Sequence, residues 1–457
     1  MNDLLIVKFG GSILKDGRDY IRAASIIKDL RDRGYKVVVV VSAMKGITDL
    51  LSKFNELSIE ELVKGVYSKY FNALSTITRT SNIAWGFFAR SLTSLSNELA
   101  KTLWAIRVLG EVTPRVKDYI LSFGERFSII LMTAALNTLG LKAKWFTGRE
   151  AGLVTDSTFG DARPIHEISC RLVRETLIPV LEDGIVPVVA GFIAGTVEGT
   201  ITIMGRGGSD YTATLLAKYL NAKEVRLYTD VPGIMTADPN KIENARVIPL
   251  MSYDEAIELA YLGAKRFHPR TFEPVRDTEI VVRVLPVDGN KGTLIDRRGG
   301  GPPLKAVATL ENLSIVSVIG TGMVGKLGAA AEIMSAFAKS GVNIIGILQP
   351  VSETCISLII GSNDVPKVLP RLKKISEKGL IRDISIIEPV AAVSIVGQGV
   401  RDINILGHIV TKALTWPVKI VSWTSTTTSI TFVIPQDKAW DFVRKIHEEV
   451  ILKWWTR

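Results

Sequence analysis

The chain up to residue 296 alternates between short apolar runs and longer stretches whose apolar residues recur at helical spacing. The apolar runs show no regular alternation with polar residues, which is typical of strands buried on both faces of a sheet. These runs are 4–7, 36–41, 186–190, 224–228 and 280–284. Between them, residues such as Ala24, Ile27 and Leu30 follow a helical period. The pattern predicts an α/β domain in which helices cover both faces of a mostly parallel sheet.

Residues 51–117 depart from this alternation. They show helical periodicity and contain bulky residues, but no strand-like run. We interpret them as a helical subdomain within a domain that spans residues 1–296. A cluster of Arg, Gly and Pro residues at 297–303 predicts a linker after that domain.

After the linker the pattern changes to two copies of a βαββαβ plan. The first copy, 312–389, contains every element of the plan, whereas the second copy, 390–457, lacks a last strand. We expect the strand within 304–311 to complete the second copy, so that the first copy is inserted within the second. Pairing of residues 305–310 with the sheet of the first copy would refute this arrangement.

The composition is that of a folded, water-soluble protein, with 47% hydrophobic and 22% charged residues among 457. The net charge of +10 comes from basic residues spread along the chain. We therefore attribute it to solubility and attraction for anionic substrates, not to nucleic-acid binding. No apolar run reaches the roughly 20 residues of a membrane span, and the N-terminus shows no signal-peptide pattern. The two cysteines, Cys170 and Cys355, make no metal-ligand pattern, which favours a reducing, cytoplasmic compartment.

The most informative segment is a glycine-rich loop, Gly205-Arg206-Gly207-Gly208-Ser209-Asp210, between a β-like run and a helix-like run. Glycine lets backbone N–H groups approach a bound anion without interference from a Cβ atom. The guanidinium of Arg206 suits a carboxylate, whereas the charge of Asp210 does not fit a simple phosphate cradle. The loop predicts a site where a small acid meets a phosphate donor, although a glycine-rich turn alone is more often just a tight turn.

A second glycine turn, Lys8-Phe9-Gly10-Gly11-Ser12, follows the first predicted strand and precedes a helix. This order aims backbone donors and one ammonium group at a phosphate. The turn is not the Walker loop, which requires Gly-Lys-Ser/Thr after four spacer residues. On its own, it equally fits an edge lysine beside an ordinary turn.

Three further segments carry polar residues at the ends of predicted elements. Ser42 and Thr48 follow the second predicted strand, at the strand end where α/β sheets place ligands. Thr229-Asp230 stands at another strand end and suits adenine, ribose or a metal-bound water, or a simple turn. Glu125 precedes a helix that we expect to begin near Phe127, where it serves either an amino-acid ammonium or helix capping.

These segments, in this order, resemble one family along nearly the whole chain. The motifs are Lys8-Phe9-Gly10-Gly11-Ser12, Val41-Ser42-Ala43 with Gly46 and Thr48, Phe123-Gly124-Glu125, Thr155-Asp156 with Phe159-Gly160, Gly205 to Asp210, Thr229 to Gly233, and Gly263-Ala264-Lys265 with His268-Pro269. They resemble the aspartate kinases (aspartokinases) of the amino-acid kinase superfamily. The two βαββαβ copies are similar to the ferredoxin-like ACT regulatory modules of that family.

The resemblance implies an enzyme that phosphorylates the side-chain carboxylate of L-aspartate with ATP and Mg²⁺, the first step of lysine, threonine and methionine biosynthesis. It implies catalytic roles for Lys8 and Asp210. The implied aspartate site consists of Ser42, Thr48, Glu125, Arg206 and Gly207. The implied nucleotide and phosphate site consists of Lys8, Gly10, Gly11, Ser12, Thr229, Asp230, Met235, Lys241 and Lys265. No metal site formed by the protein alone is expected.

The chain departs from the usual family pattern at three positions. Ile13 stands where the family usually has a small hydroxyl or thiol residue. Met235 stands where it usually has an aromatic residue, near the expected adenine. Asn240 stands where a basic residue is common, and Lys241 can substitute for it. These departures concern the adenine side of the site.

The resemblance also implies regulation through the first ACT-like copy, where Glu353 would meet the ammonium group of an amino-acid effector. The expected effector site consists of Met323, Gly325, Val342, Asn343, Ile344 and Glu353. The second copy has no acid at the matching place, so lysine or threonine, if either is the effector, would bind to the first copy. Such modules usually pair between subunits, so we expect a homodimer or a larger assembly.

Two alternative functions are weaker. Kinases that act on acetylglutamate or uridylate lack both the tandem ACT tail and the loop from Gly205 to Asp210. A catalytically inactive, amino-acid-sensing subunit has no need of Lys8, Glu125 and Arg206. A fused homoserine dehydrogenase is excluded because no dinucleotide-binding fingerprint is present.

Overall fold

The computed structural model describes residues 3–79, 85–262, 267–289, 291–320, 323–377 and 379–455. The chain divides into two compact units. Unit 1 comprises Met1–Ile234, Val247–Ile257 and Arg266–Gly301, and unit 2 comprises Met235–Arg246, Glu258–Lys265 and Pro302–Arg457. The last passage of the chain between the units lies between Gly301 and Pro302, within the segment predicted as a linker.

Unit 1 is built on an eight-stranded sheet and a two-stranded hairpin. Its strands are β1 (Leu4–Phe9), β2 (Lys36–Val41), β3 (Ala143–Phe146), β4 (Val186–Ala190), β5 (Ile193–Gly195), β6 (Ile201–Ile203), β7 (Glu224–Thr229), β8 (Leu250–Ser252), β9 (Val281–Pro286) and β10 (Thr293–Asp296). Its helices are α1 (Gly17–Asp32), α2 (Ile47–Ser52), α3 (Ile59–Thr78), α4 (Trp85–Leu109), α5 (Pro114–Thr138), α6 (His166–Glu182), α7 (Gly208–Leu220) and α8 (Tyr253–Tyr261), of which α8 ends in unit 2.

The large sheet has the strand order β3-β4-β2-β1-β7-β9-β10-β8, and β5 pairs with β6 in a separate two-stranded sheet. All neighbours in the large sheet run parallel except β9 and β10. The α/β fold class expected from the apolar runs is therefore confirmed. Because parallel strands carry their carboxyl ends to one edge, the turns after β1, β2 and β7 lie side by side.

The core of unit 1 explains why β2 is a continuous run of valine. Val37, Val39 and Val41 join an apolar cluster with α1, α3, α4 and α5. Val38 and Val40 are equally buried, and they point to the opposite face because side chains alternate along a strand. A strand covered on both faces has no position for a polar side chain.

Helix α5 is the central helix of this core. It is long and apolar enough to cross a membrane by length and composition, but 89% of its most apolar window is buried inside the fold. The expectation of a helix beginning near Phe127 is wrong, because α5 begins at Pro114 and the side chain of Thr113 caps it. Gly124 does not interrupt α5, since it gives room for close packing: a Cβ atom there would lie 2.6 Å from the Cβ of Ala43.

Unit 2 contains one antiparallel sheet with the order β12-β13-β11-β14-β16-β15. Its elements are β11 (Ala306–Ile319), α9 (Ala329–Lys339), β12 (Ile344–Leu348), β13 (Cys355–Gly361), α10 (Val365–Ser376), β14 (Asp383–Val396), α11 (Ile403–Ala413), β15 (Ile420–Trp423), β16 (Ser429–Pro435) and α12 (Ala439–Ile446). The two strand patterns expected around residue 311 form a single strand, β11, and those expected around residue 389 form β14.

The long strands β11 and β14 carry both βαββαβ copies on one sheet. Residues 306–310 of β11 pair with residues 392–396 of β14, which belong to the second copy. Residues 313–319 of β11 pair with residues 383–390 of β14 and also with β13 of the first copy. The register shifts between Leu310 and Leu313, where Asn312 has a positive φ of 60°.

Candidate active site

The two glycine turns of unit 1 meet at a buried ion pair. Lys8 lies near the carboxyl end of β1, and Asp210 lies in the first turn of α7, directly after the second glycine loop. The Lys8 Nζ and Asp210 Oδ1 atoms are 2.5 Å apart, and the two side chains are only 10% and 11% exposed. Positions separated by about two hundred residues in the sequence therefore form one polar centre.

The first glycine turn lies directly beside this pair. A Cβ atom on Gly10 would be 3.2 Å from the Lys8 ammonium, and one on Gly11 would be 2.7 Å from the carbonyl oxygen of Ala43. Ser12 Oγ donates a hydrogen bond to Asp230 Oδ1 over 3.0 Å, and Thr229 Oγ1 donates to the same oxygen over 3.2 Å. The structure thus joins the end of β7 to the turn after β1.

The second glycine loop needs its glycines for backbone shape and for space. Gly205 and Gly207 have φ values of 69° and 72°, in the left-handed region that disfavours residues with a Cβ atom. A Cβ atom on Gly205 would lie 2.5 Å from Asp161 Oδ1, and one on Gly207 would lie 2.5 Å from the Cβ of His268. Arg206, between them, is exposed. The loop backbone therefore packs closely against Asp161 and His268, while Arg206 is exposed to solvent.

Asp161, which supports this loop, is fixed by a bidentate ion pair. Arg270 Nη1 and Nη2 donate to Asp161 Oδ1 and Oδ2 over 2.5 and 2.8 Å. The hydrogen bonds and positive charge of Arg270 lower the pKa of Asp161. His268, the other neighbour of the loop, has a lowered pKa because it is partly buried and faces Arg270. At neutral pH it is therefore a neutral neighbour of the loop.

Glu125 is a buried acid on α5, and only one of its two carboxyl oxygens has a hydrogen-bond partner among the described residues. Its Oε1 atom accepts a hydrogen bond from the backbone N–H of Ala43 over 3.0 Å. Its Oε2 atom is buried and has no hydrogen-bond partner among the residues that the structure describes. Burial raises the pKa of Glu125 to about 8, and the Lys8 charge partly counteracts this rise. Such a carboxyl group is suited to a ligand that brings a positive charge.

The remaining residues predicted for aspartate lie on the turn after β2. Ser42 follows β2 directly, is half-buried, and donates its backbone N–H to the carbonyl of Phe9 over 3.2 Å. Thr48 is half-buried in the first turn of α2, after Gly46, which has a φ of 78°. Tyr70 holds this turn against α5, because its hydroxyl accepts a hydrogen bond from the Met44 N–H and donates one to the Gly124 carbonyl.

One residue that the sequence did not suggest is Asp118 on α5. It is 1% exposed, and its Oδ2 atom accepts hydrogen bonds of 3.0 Å from the backbone N–H groups of Gly160 and Ile203. Burial raises its pKa. Asp118 thereby ties α5 to the segments that lead into the second glycine loop. Its only signal in the sequence is an acid on the buried face of an apolar helix.

Two residues predicted for the nucleotide are not part of unit 1. Met235 and Lys241 belong to unit 2. There the ammonium of Lys241 lies 5.5 Å from the ring centroid of Trp440. Lys265 lies outside the described residues.

The predicted effector residues all lie in unit 2, within the first copy. Glu353 has a positive φ of 55°, and its Oε2 atom accepts a hydrogen bond from the Gly325 N–H over 2.9 Å. Met323 and Val342 are buried in the core of the first copy, whereas Asn343 is exposed. Ile344 begins β12. In this structure the Glu353 carboxylate therefore closes the glycine turn before α9.

Comparison with known proteins identifies the family of this chain. The amino acid kinase family matches residues 3–286, and an ACT domain matches residues 316–375. The lysine-sensitive aspartokinase 3 of Escherichia coli (strain K12) is 30% identical over 464 residues, which cover 98% of this chain and 100% of that protein. The chain belongs to the aspartokinase family. Chloroplastic aspartokinase 3 of Arabidopsis thaliana, also 30% identical, aligns with 97% of the chain and 80% of its own length.

Solved aspartokinase structures share this fold over the whole chain. The crystal structure of E. coli aspartokinase III in complex with aspartate and ADP has a TM-score of 0.80 and 28% identity, and it covers 98% of this chain. The complex of the same protein with lysine and aspartate has a TM-score of 0.79. As an aspartokinase, the chain is an aspartate kinase enzyme that combines an amino-acid kinase domain with ACT modules.

Proposed function

We propose that this aspartokinase transfers the γ-phosphoryl group of ATP to the side-chain carboxylate of L-aspartate, giving 4-phospho-L-aspartate and ADP. The observation that carries the proposal is the meeting of the two glycine turns at Lys8 and Asp210, beside the buried carboxyl group of Glu125. The E. coli relative that was solved with aspartate and ADP supports the same pair of ligands.

The chemistry needs positioning and charge neutralisation more than proton transfer. An aspartate side chain has an ordinary pKa of about 3.9, so the nucleophile is already ionised at neutral pH and needs no general base. The barrier comes from bringing one anion against another. Catalysis in this site therefore rests on holding both substrates in line and on donors that neutralise the phosphate oxygens.

Lys8 is the group that we assign to the transferring phosphate. Its ammonium lies beside Gly10, and the backbone N–H groups of Gly10 and Gly11 would assist it at the phosphate oxygens. Asp210 keeps the ammonium in place by a charged contact in a site largely excluded from water. Asp210 is thus an orienting group, and no step requires it to accept a proton.

Aspartate recognition uses three points around this centre. Arg206 would hold the α-carboxylate with two parallel hydrogen bonds. The unpartnered oxygen of Glu125 would accept the α-ammonium. Ser42 and Thr48 would donate to the remaining oxygens, and Gly207 allows the loop to approach the substrate closely.

The nucleotide would lie along the turn after β1 and the end of β7. Gly10, Gly11 and Ser12 would face its phosphates, and Thr229 and Asp230 would face the sugar or base. Met235, Lys241 and Lys265 remain candidates for the adenine side by their resemblance to the family.

A divalent cation, which we propose to be Mg²⁺, would accompany the nucleotide. Among the described residues, no group of three or more His, Cys, Asp or Glu side chains is placed to hold a metal ion by itself. This fits Mg²⁺, which usually binds through one or two carboxylates together with substrate phosphates. Asp210, in the first turn of α7, and Asp230, directly after β7, would be the carboxylates closest to the cation in the sequence motifs of this site. The cation would supply positive charge to the phosphate oxygens.

We also propose regulation by an amino acid that binds to the first ACT module near Glu353, with lysine or threonine as the effector. The lysine complex of the E. coli relative supports an effector of this class. We also propose a homodimer or a larger assembly, because ACT modules usually pair between subunits. The proposed location of the protein is the cytoplasm.

A substrate panel tests the proposed activity. ADP release from ATP is measured with L-aspartate, N-acetyl-L-glutamate and uridylate as acceptors. We expect release only with L-aspartate, because the site offers partners for both an α-ammonium and an α-carboxylate. Release with either of the other acceptors instead would assign the chain to another kinase activity, and release with none would support the inactive sensing subunit.

A further inference from the structure

The segment Met235–Arg246, here called the strap, contains two of the nucleotide candidates, but the proposed function does not use its anchoring in unit 2. It follows directly on the loop Thr229–Ile234, which begins at the end of β7 in unit 1. The strap itself belongs to unit 2, and the chain returns to unit 1 at Val247. In unit 1 the residues on either side of the strap are hydrogen-bonded to each other, because the Ile248 N–H donates to the Ile234 carbonyl over 2.8 Å.

Thr236 anchors the strap in unit 2 by all of its polar atoms. Its backbone N–H donates to the Arg246 carbonyl over 2.8 Å, and its carbonyl accepts from the Val307 N–H over 2.9 Å. Its hydroxyl accepts from the Arg246 N–H over 2.9 Å. The same hydroxyl shares a hydrogen bond of 2.8 Å with His447 Nε2. Thr236 is fully buried.

Apolar contacts hold the rest of the strap in the second ACT module. Ala237 and Ile242 are buried in the cluster that contains Val307, Phe442 and Ile446. Lys241 lies over the ring of Trp440 on α12. The strap therefore packs into the core of this module and is not a surface loop.

His447 follows α12 and is fully buried. It is neutral at physiological pH, because burial and the nearby charge of Arg246 lower its pKa to about 4. Such an imidazole serves as a fixed hydrogen-bonding partner for Thr236.

We infer that Thr236 and His447 are positioning residues for nucleotide binding. Their hydrogen bond fixes the strap at its second residue, and through the chain it restrains the loop Thr229–Ile234, which ends directly before the strap. The inference rests on the proposed function, in which Thr229 and Asp230 face the nucleotide. It gives the second ACT module a role in ATP binding that does not require this module to bind an effector.

The test replaces Thr236 by Val, which keeps the shape of the side chain and the backbone hydrogen bonds but removes both hydrogen bonds of the hydroxyl group. We expect the KM for ATP and the Kd for ADP, measured by titration calorimetry, to rise at least about twofold, since the loss of a single hydrogen bond already weakens an equilibrium by about two- to tenfold. The kcat and the KM for aspartate should stay within about twofold of wild type. Thr236→Ser keeps the hydroxyl and should restore the wild-type values.

The matched control is Ser394→Ala. Ser394 is also fully buried in unit 2 and loses a hydroxyl hydrogen bond, to Thr431 over 2.7 Å. This bond joins β14 to β16 and does not involve the strap. If Thr236→Val does not fold, His447→Phe removes the same hydrogen bond from the other side, because its ring has no nitrogen.

Unchanged nucleotide constants in a folded Thr236→Val or His447→Phe protein would overturn the inference, as would an equal rise in Ser394→Ala. If the wild-type protein did not phosphorylate aspartate, the proposed activity would fail. The Kd for ADP would still decide whether the strap positions the nucleotide loop.

Discussion

At the scale of single residues, the site contains two buried ionisable groups with different surroundings, Lys8 and Glu125. Lys8 already has its counter-ion, Asp210, within 2.5 Å. Glu125 has one backbone donor, and burial raises its pKa to about 8. The Lys8–Asp210 pair therefore positions a cation that can bind phosphate, whereas Glu125 can bind the ammonium group of the substrate. The roles that we propose for Lys8 and Glu125 follow from this difference.

Replacement of Lys8 tests the phosphate role. We expect Lys8→Met to lower kcat about 100- to 1000-fold, the range for removal of one preorganised donor from a developing charge. Lys28→Met is the control, because Lys28 forms a surface pair with Asp32 and should leave kcat unchanged. The measurement is steady-state kinetics at saturating substrates. A kcat close to wild type in Lys8→Met would remove Lys8 from the mechanism.

Glu125 makes folding stability depend on pH. Its folded pKa of about 8 lies well above the ordinary value for a glutamate, so between those two values the folded protein holds a proton that the unfolded chain releases. The free energy of unfolding should therefore fall as pH rises towards 8, by at most about 1.4 kcal/mol per pH unit from this group. Glu125→Gln should lack this contribution and gain in stability relative to wild type as pH rises. Urea unfolding of both proteins at about pH 6 and about pH 8 measures the difference.

The same residue should make aspartate binding depend on pH. The substrate ammonium favours the carboxylate form of Glu125, so the KM for aspartate in the wild-type enzyme should fall as pH rises towards about 8. Glu125→Gln should have a KM at least about tenfold higher and without this slope, since it removes a charged partner. A KM in the variant equal to that of wild type would show that Glu125 serves only the fold.

At the scale of elements, the turn before α7 sets the position of Arg206 and Asp210. Gly207→Ala should therefore lower the thermal midpoint and raise the KM for aspartate at least about threefold, because φ is 72° and the new Cβ would meet that of His268. Gly199→Ala is the matched control, since Gly199 also has a positive φ, 86°, but nothing lies within 4 Å of its added Cβ. Gly199→Ala should cost some stability and leave both KM values unchanged. Equal kinetic effects in the two variants would contradict a special role for the loop.

The elements were predictable from the sequence where one local pattern decides them. The valines of β2 and the glycines after β1 and before α7 each have a local signal, and the fold class follows from their alternation with helices. Glu125 and Asp118 show the limit. Both lie on the buried face of α5, and their partners, Ala43 and Ile203, are distant in the sequence. Only the packing of α5 against the turn after β2 and against β6 reveals what these acids bind.

Long strands and the strap show a second limit. The boundaries expected between the two copies fall near residues 311 and 389, but pairing over the full lengths of β11 and β14 makes each strand continuous across its boundary. Met235 and Lys241 follow the nucleotide loop in sequence, yet the chain carries them into unit 2. Tertiary contacts override the local pattern in each case.

At the scale of the whole molecule, regulation would act through the first ACT module. Glu353 holds the glycine turn before α9 through the Gly325 N–H. We expect titration calorimetry to detect lysine or threonine binding to the wild-type protein, and Glu353→Ala to weaken it at least about tenfold, because a charged partner is lost. Glu377→Ala, an exposed acid after α10 in the same module, is the control. Equal effector binding in the wild-type and Glu353→Ala proteins would exclude Glu353 from the effector site.

The central claim is that two glycine turns, far apart in the sequence, form one site with separate duties towards ATP and aspartate. The most direct test traps the acyl phosphate with hydroxylamine and follows hydroxamate formation by the wild-type and Arg206→Ala enzymes. We predict the β-hydroxamate of aspartate as the product of both. In Arg206→Ala the KM for aspartate should be at least about tenfold higher, with the KM for ATP unchanged and kcat within about threefold. Absence of hydroxamate from the wild-type enzyme, formation of the α-isomer, or a variant that changes the KM for ATP and not that for aspartate would contradict the account.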